Sequence, residues 1–180
     1  MSIPHSKCSR RAVLGSLVAA PFVWRPAGAA GRARKLNLRH LHTRETLAVT
    51  YWEDGQYNRK ALLEVDQFMR DWRTGEVFRM DPGNLDTIYS ACLRLGVRPT
   101  LDVISGYRTV KTNEMLRRRS TGVARNSYHL TGQAIDFRLV DRSVRQTHKA
   151  LLAYQRGGVG LYTRSNFIHV DTGPIRDWGS

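Results

Sequence analysis

Three features of the sequence predict an α+β fold, an antiparallel sheet with helices packed mainly on one face. Near both ends of the globular part, apolar residues alternate at period two, as in Leu36 and Leu38 or Leu47, Val49 and Tyr51. Two segments of the first half instead carry the three-and-four spacing of a helix with one buried face. The later strands are separated by short polar turns or a single helix, which favours antiparallel pairing.

Taken in order, Leu36, Leu38 and His40 alternate with polar residues, then Leu47, Val49 and Tyr51 do so again. With a turn over 43–46, this is a β-hairpin that ends at Asp54-Gly55. From Asn58 to Trp72 the apolar positions Ala61, Leu62, Val65, Phe68, Met69 and Trp72 predict a helix, broken by Thr74-Gly75. Asp81-Pro82 is a cap followed by proline at the first helical position. It opens a second helix with the stripe Leu85, Ile88, Tyr89, Cys92 and Leu95, stopped by Gly96. "PTLDVISGYRT" reads as a short strand entering a glycine turn, and 112–119 as a short basic helix. A strand over 133–139 and a helix over 143–155 follow, the helix turning Val144, His148, Leu151 and Leu152 inward. "GGVGLYTRSNFIHVDTG" then gives two strands joined by a turn at 163–166.

Residues 1–29 are set apart by composition. Lys7, Arg10 and Arg11 precede an apolar run from Ala12 to Trp24, and Ala27-Gly28-Ala29 has the A-x-A form of a cleavage site. The paired arginines point to twin-arginine export into the periplasm, with residues 30–180 as one domain and no stable membrane anchor after cleavage. The chain carries a net charge of +14. Four of its 29 basic residues and none of its 15 acidic ones fall before position 30, so the remainder carries +10. Such a surface attracts polyanions. For an exported protein these are envelope polymers and lipid headgroups; nucleic acid is not an expected partner. Of the two cysteines, Cys8 lies in the leader and Cys92 in a helix stripe, which gives a small core residue and no intramolecular disulfide.

Strand periodicity sorts the candidate chemistry. In 133–139 the aliphatic residues Ile135, Phe137 and Leu139 point one way, while Ala134, Asp136 and Arg138 point the other. In 166–172, Ile168 and Val170 oppose Phe167, His169 and Asp171. If both strands turn their aliphatic faces to one core, Asp136, His169 and Asp171 emerge together. His129, in the loop just upstream, can fold over that face. Two imidazoles and a carboxylate form a set suited to catalytic zinc, one ion per chain, with a fourth position left for water. A cation also explains a carboxylate within the apolar run Ala134-Ile135-Asp136-Phe137. His40 and His42 form a second H-x-H, but no acidic or cysteine partner is near, and Thr43 suggests a role at the turn. Arg108, after Ser105-Gly106-Tyr107, stands at a sheet mouth where a guanidinium can stabilise an oxyanion. Arg117, Arg118, Arg119 and Arg125 read either as docking groups for acidic peptides or as a solvated face.

These residues carry a resemblance. "SGYRTVKTNEMLR", "GVARNSYHLTGQAIDFRL" and "FIHVDTGPIRDW", with "HTRET", "YWEDGQY", "RDWRTGEV", "DPGNLD" and "RGGVGLY", resemble the zinc D-alanyl-D-alanine peptidases related in fold to hedgehog. The nearer likeness is to the murein endopeptidase K (YcbK-like) branch, over nearly all of the chain after the leader. The resemblance implies a hedgehog/DD-peptidase fold and a periplasmic zinc peptidase that cuts cross-links between peptidoglycan stem peptides, in particular the 3-3 meso-diaminopimelate bond. It implies His129, Asp136 and His169 as metal ligands and Arg108 as the transition-state arginine, with Ser127, Tyr107 and Arg125 as substrate contacts. Ser127 can alternatively support the site. Where dipeptidase relatives have an acidic residue three positions before the last histidine, this chain has Asn166. Asp171 is then either the general base or a partner that orients His169. The same fold can also hold zinc without catalysis, as a peptidoglycan-binding module.

Overall fold

The computed structural model describes residues 33–179, so the leader-like segment 1–29 lies outside the described residues. In chain order the elements are β1 (Arg34–His40), β2 (Thr46–Glu53), β3 (Gln56–Tyr57), α1 (Arg59–Phe68), α2 (Pro82–Leu95), β4 (Thr100–Ser105) and α3 (Val110–Arg119). A 3-10 turn (Tyr128–Thr131), β5 (Ala134–Leu139), α4 (Val144–Leu152), β6 (Gly158–Tyr162), β7 (Phe167–Asp171) and β8 (Arg176–Gly179) follow. The strands form one eight-stranded sheet in the order β3-β2-β1-β4-β5-β7-β6-β8. The fold is α+β, as the sequence predicts. Its sheet is mostly antiparallel, with two exceptions: β1 runs parallel to β4, and β6 parallel to β8. The first is possible because α1 and α2 provide the long crossover that parallel neighbours need.

Local signals decide most element ends. Asn58 accepts from Ala61 N–H at 3.1 Å, Asp81 from Gly83 N–H at 2.9 Å, and Ser143 with Gln146 closes a capping box on α4. Gly96, at φ 64°, ends α2 in the left-handed conformation that glycine adopts without steric cost. The helix predicted to reach Trp72 stops at Phe68. Beyond it, the Met69 carbonyl accepts from Tyr107 N–H at 2.8 Å and the Asp71 carbonyl from Gly75 N–H at 2.7 Å. A tight turn therefore replaces the final helical turn. α4 likewise ends at Leu152, short of the predicted 155, and α3 starts at Val110 because Thr109 caps it.

Apolar residues of six strands and of α1, α2 and α4 share one core, including Leu36, Val49, Leu101, Ile135, Phe137, Ile168 and Val170. Cys92 lies within it, fully buried, and burial pushes its thiol up to about 12, which leaves it inert. Burying each such side chain contributes roughly 1.5–3 kcal/mol. A one-residue slip of β5 would turn Ile135, Phe137 and Leu139 out of this core, so the register is fixed by the apolar face. In that register Asp136 lies opposite His169, and Ala134 opposite Asp171.

His40 faces the core and is 1% exposed. Its Nδ1 accepts from the N–H groups of His42 (3.2 Å) and Thr43 (3.3 Å), so it organises the hairpin turn and is not arranged as a metal ligand. Burial, together with neighbouring His42, pushes its pKa down to about 4 although Glu45 pulls the other way. The unfolded chain, with the ordinary value near 6.5, takes up this proton first. His40 therefore withdraws stability from the folded state as pH falls from about 6.5 toward 4. His40→Asn keeps an acceptor but does not titrate. We expect urea melts to show the stability gap between wild type and this variant narrowing across that pH window, and a gap independent of pH would refute the assignment.

Candidate active site

The face of the sheet opposite α1, α2 and α4 carries the polar residues that strand alternation predicted. Asp136 lies on β5 and His169 with Asp171 on β7, the next strand over. His129 arrives from the 3-10 turn, which Ser127 caps by accepting from His129 N–H at 3.4 Å. The turn is tied to the segment after β4, since His129 O accepts from Arg108 N–H at 3.0 Å. Nearby, Gly106 packs so closely on Met69 that a Cβ there would stand 2.6 Å from its carbonyl oxygen.

Hydrogen-bond chemistry fixes what each ring can offer. His129 Nδ1 lies 2.6 Å from Gly106 O, which can only accept, so Nδ1 carries the proton. Its Nε2 lone pair then faces inward, 3.2 Å from Asp136 Oδ1, buried and without a hydrogen bond. His169 Nε2 lies 3.1 Å from Asp171 Oδ2, and its Nδ1 lies 2.9 Å from Asp136 Oδ1. Asp136 Oδ2 meets the Arg108 guanidinium, whose Nε donates to Ser105 Oγ at 2.8 Å.

The three candidate ligand atoms lie within 4.8 Å of one another. When His169 donates through Nε2 to Asp171, its Nδ1 lone pair faces a carboxylate oxygen at hydrogen-bond distance. A proton or a metal cation must lie between two such acceptors. The unpartnered His129 Nε2 asks for the same thing, and two neutral imidazole nitrogens with one carboxylate oxygen match a zinc donor set. The residues present fit the metal.

The electrostatics agree. Burial and Arg108 push His129 down to about 4 against the pull of Asp136, so the ring is neutral and its lone pair available. Burial alone would raise the Asp136 carboxyl, but His129, Arg108 and His169 together hold it well below the ordinary value. Burial alone would lower His169, yet Asp136 and Asp171 bring it up to about 9, so a proton holds the place between Nδ1 and Asp136 until a metal cation displaces it. For Asp171, burial is again outweighed, here by hydrogen bonds from His169, Gly173 and Gly158, and the carboxyl sits below its ordinary range.

Asp171 is closely held. Oδ1 accepts from Gly158 N–H (3.1 Å) and Gly173 N–H (2.9 Å), while Oδ2 meets His169 and the Arg176 guanidinium. A cleft of about 590 Å³ opens over the site, lined among others by Arg108, Ser127, His129, Asp136, His169 and Asp171. Tyr107 and Arg125 are not among its lining residues. Tyr107 stacks on Phe78 at 5.0 Å, and Arg125 is exposed to solvent between Ala124 and Asn126, which line the cleft. Arg117, Arg118 and Arg119 are exposed on α3, the solvated-face alternative, and Asn166 sits in the β6–β7 turn at φ 52°.

Sequence reasoning missed Arg176 and Trp178 on β8. Trp178 lies 5.3 Å from the His169 ring and donates to Tyr162 OH at 3.0 Å, and Arg176 stacks on Tyr128 at 5.0 Å. The available signal was the pair Gly158 and Gly160, spaced by two on the site face of β6. A Cβ at Gly158 would lie 2.5 Å from Arg176, and one at Gly160 2.6 Å from the Trp178 ring. Glycines at strand period mark a surface that another group approaches closely.

Comparison with known proteins agrees with this site. The profile of the family described as peptidoglycan L,D-endopeptidase MepK matches residues 28–178. The peptidoglycan L,D-endopeptidase MepK of Escherichia coli (strain K12) is 43% identical over 147 residues, which cover 82% of this chain and 81% of that protein. The Shigella flexneri protein of the same name gives the same figures. The probable peptidoglycan L,D-endopeptidase MepK of Haemophilus influenzae is 42% identical over 148 residues, 82% of this chain and 80% of the relative. No solved structure is matched significantly. A match across almost the whole described region, joined to a His-Asp-His cluster of the required donor chemistry, places this chain in the MepK family of peptidases.

Proposed function

We propose that this protein is a zinc-dependent peptidoglycan endopeptidase, exported to the periplasm by the twin-arginine route through residues 1–29, with 30–180 as its single peptidase domain. Its substrate is the peptide cross-link between stem peptides, specifically the 3-3 meso-diaminopimelate bond. One observation carries the reading: His129 Nε2, Asp136 Oδ1 and His169 Nδ1 converge at the floor of an open cleft. Family membership supports the substrate class.

His129, Asp136 and His169 would hold the ion. When bound, zinc supplies Lewis acidity and lowers the pKa of a bound water from about 16 toward 7. The protein does the rest. Gly106 O fixes the His129 tautomer by accepting from Nδ1, which leaves Nε2 to the metal. Arg108 neutralises the second oxygen of Asp136 and lines the cleft, where its guanidinium can stabilise the oxyanion of a tetrahedral intermediate. Of the two roles read for Asp171, we assign it the orienting one. Its four acceptor positions are already engaged, and through Oδ2 it holds the His169 ring. Ser127 supports the site by shaping the turn that presents His129.

Cross-linked sacculi incubated with purified protein should release uncross-linked muropeptides, separable by chromatography. A chelator and Asp136→Ala should each abolish release, and 3-3 dimers should be consumed in preference to 4-3 dimers. Unchanged dimers in the presence of zinc would instead support a non-catalytic zinc module. Binding that vanishes with salt but survives chelation would mark a polyanion-binding protein.

Asp171→Asn separates orientation from proton transfer. An orienting partner should cost roughly 10- to 100-fold in metal affinity, with activity largely restored by excess zinc. Inactivity at saturating zinc would make Asp171 the base.

A further inference from the structure

Three guanidinium groups line the cleft, and two are neutralised: Arg108 by Asp136 and Arg176 by Asp171. The third, Arg73, forms no salt bridge with any described residue, although its position is built. Asp71, 1% exposed, accepts from Arg73 N–H at 3.0 Å through Oδ1. Through Oδ2 it accepts from Thr109 N–H at 2.9 Å and Thr109 Oγ1 at 2.8 Å. One buried carboxylate thus ties the loop that carries Arg73 to the residue directly after Arg108. That tie fixes the two backbone positions from which the guanidinium groups extend.

The Arg73 side chain is also supported. Its guanidinium carbon lies 4.0 Å from the centre of the Trp72 ring, and His42, which lines the same end of the cleft, stacks on that indole at 4.5 Å. A guanidinium carried over an aromatic ring still has N–H groups to offer a partner, and a carboxylate suits that fork. Stem peptides carry free carboxylates beside their amide bonds, whereas the neutral sugars of the glycan strand do not offer this partner.

Building on the endopeptidase reading, we propose that Arg73 is a specificity-determining contact that receives a free carboxylate of the stem peptide while the scissile amide lies over the His129-Asp136-His169 cluster. Asp71 is its positioning residue. Cleft recognition then comes from a residue that the sequence leaves inconspicuous, exposed but on the cleft wall, and not from Arg117, Arg118 and Arg119 of α3, which do not line it.

Defined cross-linked muropeptides with free carboxylates, and the same compounds with those groups converted to carboxamides, test this on wild type, Arg73→Met and Arg73→Lys. Met preserves the stem over Trp72, and thermal melts check folding. For wild type, amidation should raise KM roughly 10- to 100-fold, the size of a lost charge-assisted hydrogen bond, with little change in kcat. Arg73→Met should show the raised KM on the carboxylate substrate and no further penalty on the carboxamide, and Arg73→Lys should fall between. Titration of the free stem tetrapeptide and its carboxamide into chelator-treated protein should show the same discrimination without turnover. Equal KM and equal binding for both forms in wild type would overturn the proposal, as would undiminished discrimination in Arg73→Met. If wild type binds with this discrimination but cuts neither compound, the endopeptidase reading fails and the Arg73 assignment stands.

Discussion

A carboxylate buried to 3% exposure, Asp136, is the constraint around which the site is arranged. An isolated charge there would be untenable, so each oxygen is met by cationic or cation-binding groups: Oδ1 by two imidazoles, Oδ2 by Arg108. These partners come from the segment after β4, from the 3-10 turn and from β7. Folding must bring three distant stretches together before the charge is compensated. Removing any one partner leaves the others uncompensated, which makes the cluster unforgiving of substitution.

That arrangement rests on a sheet with two unlike faces. One face packs against α1, α2 and α4, and its aliphatic side chains set the strand register. The other inherits its geometry from that register, because alternate side chains must emerge opposite the core. Asp136 meets His169 across β5 and β7 for the same reason that Ile135 meets Val170. Precision at the reactive face is thus a by-product of apolar packing at the other, where the energy lies.

Around the cluster, support spreads outward through neutral and charged groups in alternation. Gly106 O holds His129, Ser105 Oγ holds Arg108, and Asp171 holds His169 while Arg176 and two backbone N–H groups hold Asp171. Aromatic rings at Tyr128 and Trp178 flank Arg176 and narrow the surrounding space. The result is a set of candidate ligand side chains whose orientations are held by hydrogen bonds from outside the cluster.

The sequence by itself determined the fold class, the helix cap at Asp81, the helix starts near Asn58 and Ser143, and the shared facing of Asp136, His169 and Asp171. These follow from local periodicity and local hydrogen bonding, which few residues suffice to encode. Only the tertiary structure decided that β8 forms the sheet edge beside β6, and that Tyr107 stacks on Phe78. It also decided that Asp171 is saturated by Gly158, Gly173, His169 and Arg176, and that Arg73 reaches the cleft through Asp71 and Trp72. Each of these depends on contacts between segments far apart in the chain. Pattern reports which side of a strand a residue faces, but which atoms meet it there is settled by packing.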